Sequence, residues 1–453
     1  MSKTIKLKKG FDINLAGKPE KKIAENVRPD TYALKPTDFP GMTRPKLSVA
    51  VGDNVKAGSP VLYDKLFPEV HYTAPVSGEV IEIRRGAKRK ILEIKILADK
   101  EVSYESFNKY STTDLSSISR EDAQSQMTQA GVWPNIVQRP FGIVANPADS
   151  PKSIFISTFD THPLAPDYGF ILQGQEQYFQ AGISILKKFT SGDVNVNIDG
   201  KSEVSPVFSN VEGAVINKVS GPHPAGNVGV HIHHIDPIGK GQIIWTLNPV
   251  GVVQIGKLFL EGIYDASKIF VLAGSEVKKA KYYRTHLGAC IDKYIESNLN
   301  QDHVRVISGN VLTGERIDKT GYIGYYDNQV TVIPEGDYHE MLGWIKPSNR
   351  LSYHRAWGLL SFLTPGKEYV MDTNNRGEER AFVATGVFEK VTPMDVFPTY
   401  LLKAIMAEDY EDMEGLGIYE VVEEDLALCE FVDVSKHEVQ EIIRKGINLI
   451  KDS

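Results

Sequence analysis

Residues 221 to 236 read GPHPAGNVGVHIHHID and hold His223, His231, His233 and His234, four of the eleven histidines in the chain, with Asp236 at the end. Imidazole can ligate a metal, relay a proton, or serve as a combined hydrogen-bond donor and acceptor. In an extended segment side chains alternate, so His231 and His233 share a face and form an H-x-H pair able to chelate, while His234 points away. A metal site needs three or four ligands, and Asp236 lies too close to the pair to complete one. The plainer reading is a loop-to-strand junction held by neutral imidazoles, its turns shaped by Gly221, Pro222, Pro224, Gly226 and Gly229. A metal-dependent enzyme built on His231 and His233 stays open beside it.

A second chemistry attaches to Lys65. Residues 46 to 97 have a repeated turn grammar, VGDNVKAGSPVL and then APVSGEVIEI, which predicts a small, tightly turned β domain. Its spacing resembles the barrel-sandwich hybrid of biotinyl and lipoyl carriers, whose lysine sits on a hairpin tip. Lys65 lies nine residues before Ala74, against about seven in the lipoyl pattern, so its register is wrong for the tip. Cys290 and Cys429 are the only cysteines and form no C-x-x-C, which argues against a disulfide framework or a cysteine-held cluster.

These residues need elements to position them. SIFISTF (153 to 159) reads as a buried strand that ends in the polar loop Asp160-Thr161-His162-Pro163. Tyr178, Gly182, Ile185, Leu186 and Phe189 follow helical spacing, and Val194, Val196 and Ile198 alternate as a strand. Strand, helix, strand is a βαβ unit with a parallel sheet, whose ligands sit beyond the carboxyl ends of the strands, where His162 falls. The strand is followed by neither G-x-G-x-x-G nor G-x-x-x-x-G-K-[ST], so nucleotide binding is not expected. LGACIDKYIE reads as a helix, and VRVISGNVLTG and YDNQVTVIPEG as strands of a β-grasp module. The last helix is expected to start at Ser435 in a capping box with Glu438 and to bury Val439, Ile442, Ile443, Ile447 and Ile450.

The chain has 453 residues and a net charge of -7, which implies several domains and argues against nucleic acid as the main partner. The N-terminus has no apolar core of a secretory signal, and the best apolar runs, such as IFVLAG, are strand-sized, so a reducing cytoplasmic setting and a chain that does not itself span a membrane are expected. The stretch from Glu408 to Glu430 is acidic and reads first as a solvated face, second as a dock for a basic partner.

Seven motifs in one order carry a resemblance: GAKRKILEI (86 to 94), QRPFG (138 to 142), FDTHPLAPD (159 to 167), GPHPAGNVGVHIHHIDP (221 to 237), RVISGNVLTG (305 to 314), LGWIKP (342 to 347) and EEDLALCEFV (423 to 432). The chain resembles the NqrA family, which supplies the A subunit of the sodium-translocating NADH:quinone oxidoreductase. More distantly it resembles the C subunit of the Rnf complex and the flavin-carrying subunit of respiratory complex I. The resemblance implies an α+β multidomain fold. It comprises an N-terminal segment with a barrel-sandwich hybrid (1 to 100), a Rossmann-like α/β domain without its flavin loop (101 to 258), a β-grasp, SLBB-like module (259 to 335) and a mainly helical C-terminal domain (336 to 453). It further implies a peripheral protein on the cytoplasmic side of the inner membrane, docked to the B to F subunits and most directly to the membrane-embedded B subunit, in a complex that uses NADH, flavins, Fe-S, quinone and Na+.

By the same resemblance this chain binds no cofactor, is not catalytic alone, and supports assembly and quinone reduction. Where the flavin-carrying relatives have a glycine-rich loop it has AGVWPNIVQRP (130 to 140), and where they have several cysteines it keeps Cys429 alone. The candidates for a quinone-facing or interface role are His223, His231, His233 and Asp236, then His162. The rival readings are a carrier modified on Lys65 and the H-x-H metal enzyme.

Overall fold

A computed structural model describes residues 2–24, 27–342, 350–354 and 361–453. The motif LGWIKP lies, apart from Leu342, outside them. After strand β1 (Thr4–Lys6), seven strands make up two small antiparallel sheets: β2 (Thr31–Leu34), β3 (Pro45–Leu47), β4 (Asn54–Val55), β5 (Pro60–Asp64), β6 (Phe67–Thr73), β7 (Gly78–Arg85) and β8 (Ile91–Ala98). Their orders are β2-β8-β7-β4 and β3-β5-β6, and Val61, Leu62 and Val70 of one sheet share an apolar cluster with Val80, Ile94 and Ile96 of the other. The turns fall where the glycines stand. A Cβ on Gly78 would meet the Leu97 carbonyl at 1.9 Å, so β7 can pass β8 there only without a side chain.

The next region runs α1 (Arg120–Ala130), β9 (Val137–Arg139), β10 (Ile143–Val144), β11 (Ser153–Ser157), α2 (Tyr168–Ile171), α3 (Glu176–Leu186), β12 (Val194–Asp199), α4 (Pro206–Ser209), β13 (Val215–Ser220), α5 (Val228–Ile235), β14 (Ile244–Leu247) and α6 (Pro249–Glu261). Its sheet has the order β1-β13-β12-β11-β14-β9-β10, parallel from β1 to β14 and antiparallel beyond. Ile154, Phe155 and Ile156 of β11 are all fully buried, as a strand covered on both faces requires. The βαβ unit and the buried face of α3 follow the sequence pattern. Helices α3 and α6 approach through reciprocal glycines, since a Cβ on Gly182 would meet the Val252 carbonyl at 2.2 Å and one on Gly256 the Tyr178 carbonyl at 1.8 Å. Strand β1 belongs to this sheet and not to the β domain that follows it in sequence.

Then come β15 (Ser267–Ala273), β16 (Lys281–His286), α7 (Asp292–Ile295), β17 (Val304–Ser308), β18 (Glu315–Ile317) and β19 (Gln329–Pro334), in a sheet of order β16-β15-β19-β17-β18. The helix expected over LGACIDKYIE shrinks to α7. Ala289 and Cys290 instead bridge to Tyr32 and Tyr322, because pairing to neighbouring segments claims their backbone.

The chain ends in α8 (Phe388–Val391), α9 (Pro398–Ala407), α10 (Tyr410–Gly415), α11 (Glu423–Val432) and α12 (Val439–Asp452). Val439, Ile443, Ile447 and Ile450 are buried, as the periodicity predicts, with Ile442 partly so. The capping box at Ser435 does not form. Lys436 takes a left-handed φ of 61°, and Asp433 receives the backbone N–H groups of Ser435 and His437 at 3.0 and 2.8 Å, so the helix starts only at Val439. Among the described residues no helix is long and apolar enough to cross a membrane.

Candidate functional site

The histidine segment is not extended. Residues 228 to 235 are helix α5, the crossover between parallel strands β13 and β14, and the need to join two parallel strands overrides the local alternation. Positions two apart on a helix lie on nearly opposite sides, so His231 and His233 share no face and the H-x-H chelate is excluded by geometry. His231 is fully buried, 2.8 Å from the Ala225 carbonyl through Nε2 and stacked on Phe159. Burial pulls its pKa down to about 4, so it is neutral and donates that bond. His233 uses both nitrogens, Nδ1 at 2.5 Å from Glu420 and Nε2 accepting the Asp395 N–H at 2.9 Å. His234 bonds the Pro393 carbonyl. Among the described residues no group of three or more His, Cys, Asp or Glu is placed to hold a metal ion.

Asp236, at the far end of α5, pairs with Lys152 at 2.5 Å and accepts the Ser153 hydroxyl at 2.8 Å, beside the start of β11. His223 and His162 lie at the other end of that strand. They come together from two loops, with ring centroids 4.5 Å apart. His162 Nδ1 is 2.6 Å from Asp160, while His223 Nδ1 is 3.1 Å from the Thr161 hydroxyl, which accepts the Gly226 N–H. Burial works against a charge on His162, but the Asp160 carboxylate beside it outweighs that and raises its pKa. Burial and then the charge of His162 drive His223 down to about 3. The two rings therefore differ in the direction of their shifts, His162 up beside Asp160 and His223 down, and the Nε2 atoms of both are buried without a partner.

The acidic stretch supplies what sequence reasoning missed. Asp425 is fully buried and takes the Arg139 guanidinium at 2.8 Å; Glu424 takes its other arm at 2.7 Å. Asp425 also caps its own helix by accepting the Val422 N–H. A Cβ on Gly229 would lie 2.3 Å from the Asp425 carboxylate, so α11 reaches the first turn of α5 only because residue 229 is glycine. Asn227 donates to the Glu424 carbonyl at 2.9 Å across the same contact. Helix N-termini after a parallel strand are where anions bind, and here the anion is the protein's own carboxylate. Glu423 pairs with Arg444 and Glu420 with His233, so these four acids close intramolecular contacts, while Glu408, Asp409, Glu411 and Asp412 at the start of the stretch are exposed, as the solvated-face reading has them. Arg139 and Asp425 are 286 positions apart, and no local pattern could have paired them.

In AGVWPNIVQRP, Trp133 is fully buried, donates to the Ala145 carbonyl at 2.8 Å and packs edge-on against Trp245. Lys65 sits on the exposed two-residue turn between β5 and β6, a hairpin tip that the spacing to Ala74 argued against. Burial raises the Cys290 thiol to about 11 and the Cys429 thiol to about 12, so neither is a thiolate at neutral pH.

Three family models match the chain: the NqrA N-terminal barrel-sandwich hybrid domain over residues 5–99, the NqrA second alpha/beta domain over 118–264 and the NQRA C-terminal domain over 270–319. The A subunit of Na(+)-translocating NADH-quinone reductase from Alcanivorax borkumensis is 38% identical over 451 residues, covering 99% of each chain. The protein of that name from Rhodopirellula baltica is 37% identical over 98% of each, and that from Vibrio parahaemolyticus 38% over 99%. The chain belongs to this family. Among solved structures, NAD+-reducing [NiFe]-hydrogenase in its air-oxidised and H2-reduced states matches 52% of this chain and 52% of that chain at 11% identity, with TM-scores of 0.33 and 0.34. In this NqrA-family chain, α11 packs on the first turn of α5 through Asp425 and the Glu424 carbonyl.

Proposed function

We propose that this chain is the peripheral A subunit of a Na+-translocating NADH-quinone reductase, held on the cytoplasmic side of the inner membrane by its partner subunits. Its contribution is assembly and support of quinone reduction, with NADH, flavin, Fe-S and Na+ handled by the other subunits. The observation that carries this reading beyond family membership is Asp425 on the first turn of α5, locked by Arg139. A flavin phosphate brought to that helix end would meet two carboxylates, and the region of the relatives' glycine-rich loop is filled by Trp133 and Pro134 in the core. The residues present do not fit a flavin, and two protonated, buried thiols do not fit a cluster. We read residues 1 to 100, 101 to 258, 259 to 335 and 336 to 453 as its four units, the first lending β1 to the sheet of the second, the second Rossmann-like on its mainly parallel sheet and the third β-grasp on its mixed sheet.

Of the quinone-facing candidates, His162 and His223 are retained, because their rings meet at the carboxyl end of the sheet and each leaves a buried Nε2 without a partner, whereas His231, whose Nδ1 is likewise unpartnered, lies inside α5. His231, His233 and Asp236 are assigned to holding α5 in place. The test is a purification in mild detergent through a tag on this chain. The membrane subunits are expected to follow it, and the isolated chain to show no visible absorption; a yellow or brown pure chain ends the cofactor-free part. The second reading, a carrier, is favoured by one observation, the exposed hairpin-tip position of Lys65. An unmodified intact mass from cells able to attach biotin or lipoate removes it.

A further inference from the structure

Helix α9 has an outer face that soluble helices rarely show. Its inner residues Leu401, Leu402, Ala404 and Ile405 are buried, in part against α12. Its outer row, in steps of three, is Phe397, Tyr400, Lys403 and Met406, and Tyr410 follows in α10. Phe397, Tyr400, Met406 and Tyr410 are 52%, 58%, 52% and 43% exposed. An amphipathic helix on a water-facing surface carries polar groups there, and an apolar row on both sides of a helix signals a second contact. The rim is acidic. Glu408, Asp409, Glu411 and Asp412 are exposed; of the nearby cations, Lys403 lies over the Phe382 ring, Lys445 bonds Glu408 at 2.8 Å and Lys240 bonds Glu414 of α10 at 2.6 Å.

We propose that this face of α9 and α10 docks a basic, amphipathic cytoplasmic segment of a membrane-embedded partner. The occupant follows from charge. An anionic lipid surface is repelled by the carboxylate rim. A second copy placed isologously would set acid against acid. A segment with an apolar stripe and Lys or Arg flanks meets both halves of the face, and cytoplasmic segments of membrane proteins carry that excess of Lys and Arg. The inference rests on the reading of the chain as a peripheral subunit, and the test separates the two.

The chain is co-expressed with its membrane partners, which are purified through a tag on one of them, and the ratio of this chain to the tagged partner is measured across a salt series. Tyr400→Ser with Met406→Ser is expected to cut retention about tenfold, as removal of exposed aromatic anchors does. Glu411→Lys with Asp412→Lys is expected to lose retention at low salt and to flatten the salt dependence. Both isolated variants should melt like the unsubstituted chain, because only exposed side chains change. Retention of both variants at the unsubstituted ratio overturns the docking face and leaves the peripheral reading intact. If the unsubstituted chain is itself not retained, both fall. Phosphatidylserine vesicles that pellet the chain but not the variants assign the face to lipid, and a dimer in light scattering broken by the variants assigns it to a second copy; either result overturns the proposal.

Discussion

The two ends of α5 obey one electrostatic rule at different depths. A helix is electropositive at its N-terminus and electronegative at its C-terminus. At the first, Asp425 lies against Gly229 with Arg139 behind it. At the second, the Lys3 ammonium donates to the carbonyls of His234 and Ile235 at 3.1 and 2.9 Å, and Lys152 pairs with Asp236. The Asp425 anion at the first and the Lys3 and Lys152 cations at the second have the favourable sign, while the Asp236 carboxylate at the C-cap does not and is offset by Lys152. What differs is water: the Asp425 and Arg139 side chains are 0% and 4% exposed, whereas Asp236 and Lys152 are 29% and 36% exposed. Screening makes the second set nearly dispensable, and its absence makes each member of the first depend on the other.

That contrast breaks most sharply at Arg139. Arg139→Met leaves the buried Asp425 carboxyl group and the neighbouring Glu424 without their counter-ion and should cost about 3 to 5 kcal/mol in urea unfolding, whereas Arg139→Met with Asp425→Asn, which can still accept the Val422 N–H, should recover part of the loss. A double variant as unstable as the single would show that the guanidinium matters for something other than the charge it neutralises.

Acid should find the buried end next. The folded pKa of His231 is about 4 against an ordinary 6.5, so its neutral form stabilises the fold above 6.5 and the contribution is lost as pH falls toward 4. The shift is worth on the order of 3 kcal/mol. His223, near 3, acts in the same direction. His162 has the opposite sign, with a raised folded pKa and a contribution lost as pH rises through it. Unfolding series at pH 7.5 and 5 should show a smaller drop in His231→Gln than in the unsubstituted chain; equal drops would remove His231 from the acid response.

Gly229→Ala drives a methyl to 2.3 Å from the Asp425 carboxylate and should cost about 1 to 3 kcal/mol, without the rescue expected of the double variant. Lys152→Ala at the far end should cost less than about 1 kcal/mol and lose even that in high salt. Should Lys152 prove as costly as Arg139, the contrast between the ends would be wrong.

Patterns that repeat within a few residues were legible without coordinates. The glycine-punctuated β domain, the strand at Ser153, the face of α3 and the buried row of α12 all follow from periods of two and 3.6. The placement of His162 in a loop at the carboxyl end of the sheet also followed, because parallel strands gather such loops at one end. Two local readings misled. VGVHIHHI fits both periods over eight residues, and only its place as the crossover between the parallel strands β13 and β14 made it a helix. Ser435 and Glu438 have capping-box spacing, but Asp433 captured the nearby backbone groups from two residues upstream.

By itself, then, the chain's order of residues determined its family, its sheets and the helices that repeat on one face, because those depend on neighbours and on short-range periodicity. The tertiary structure alone decided what the acidic stretch and the histidines do. A carboxylate at 425 is a surface charge or a buried counter-ion according to whether an arginine 286 positions away points at it, and that separation is closed by packing of the whole chain and by nothing written near either residue.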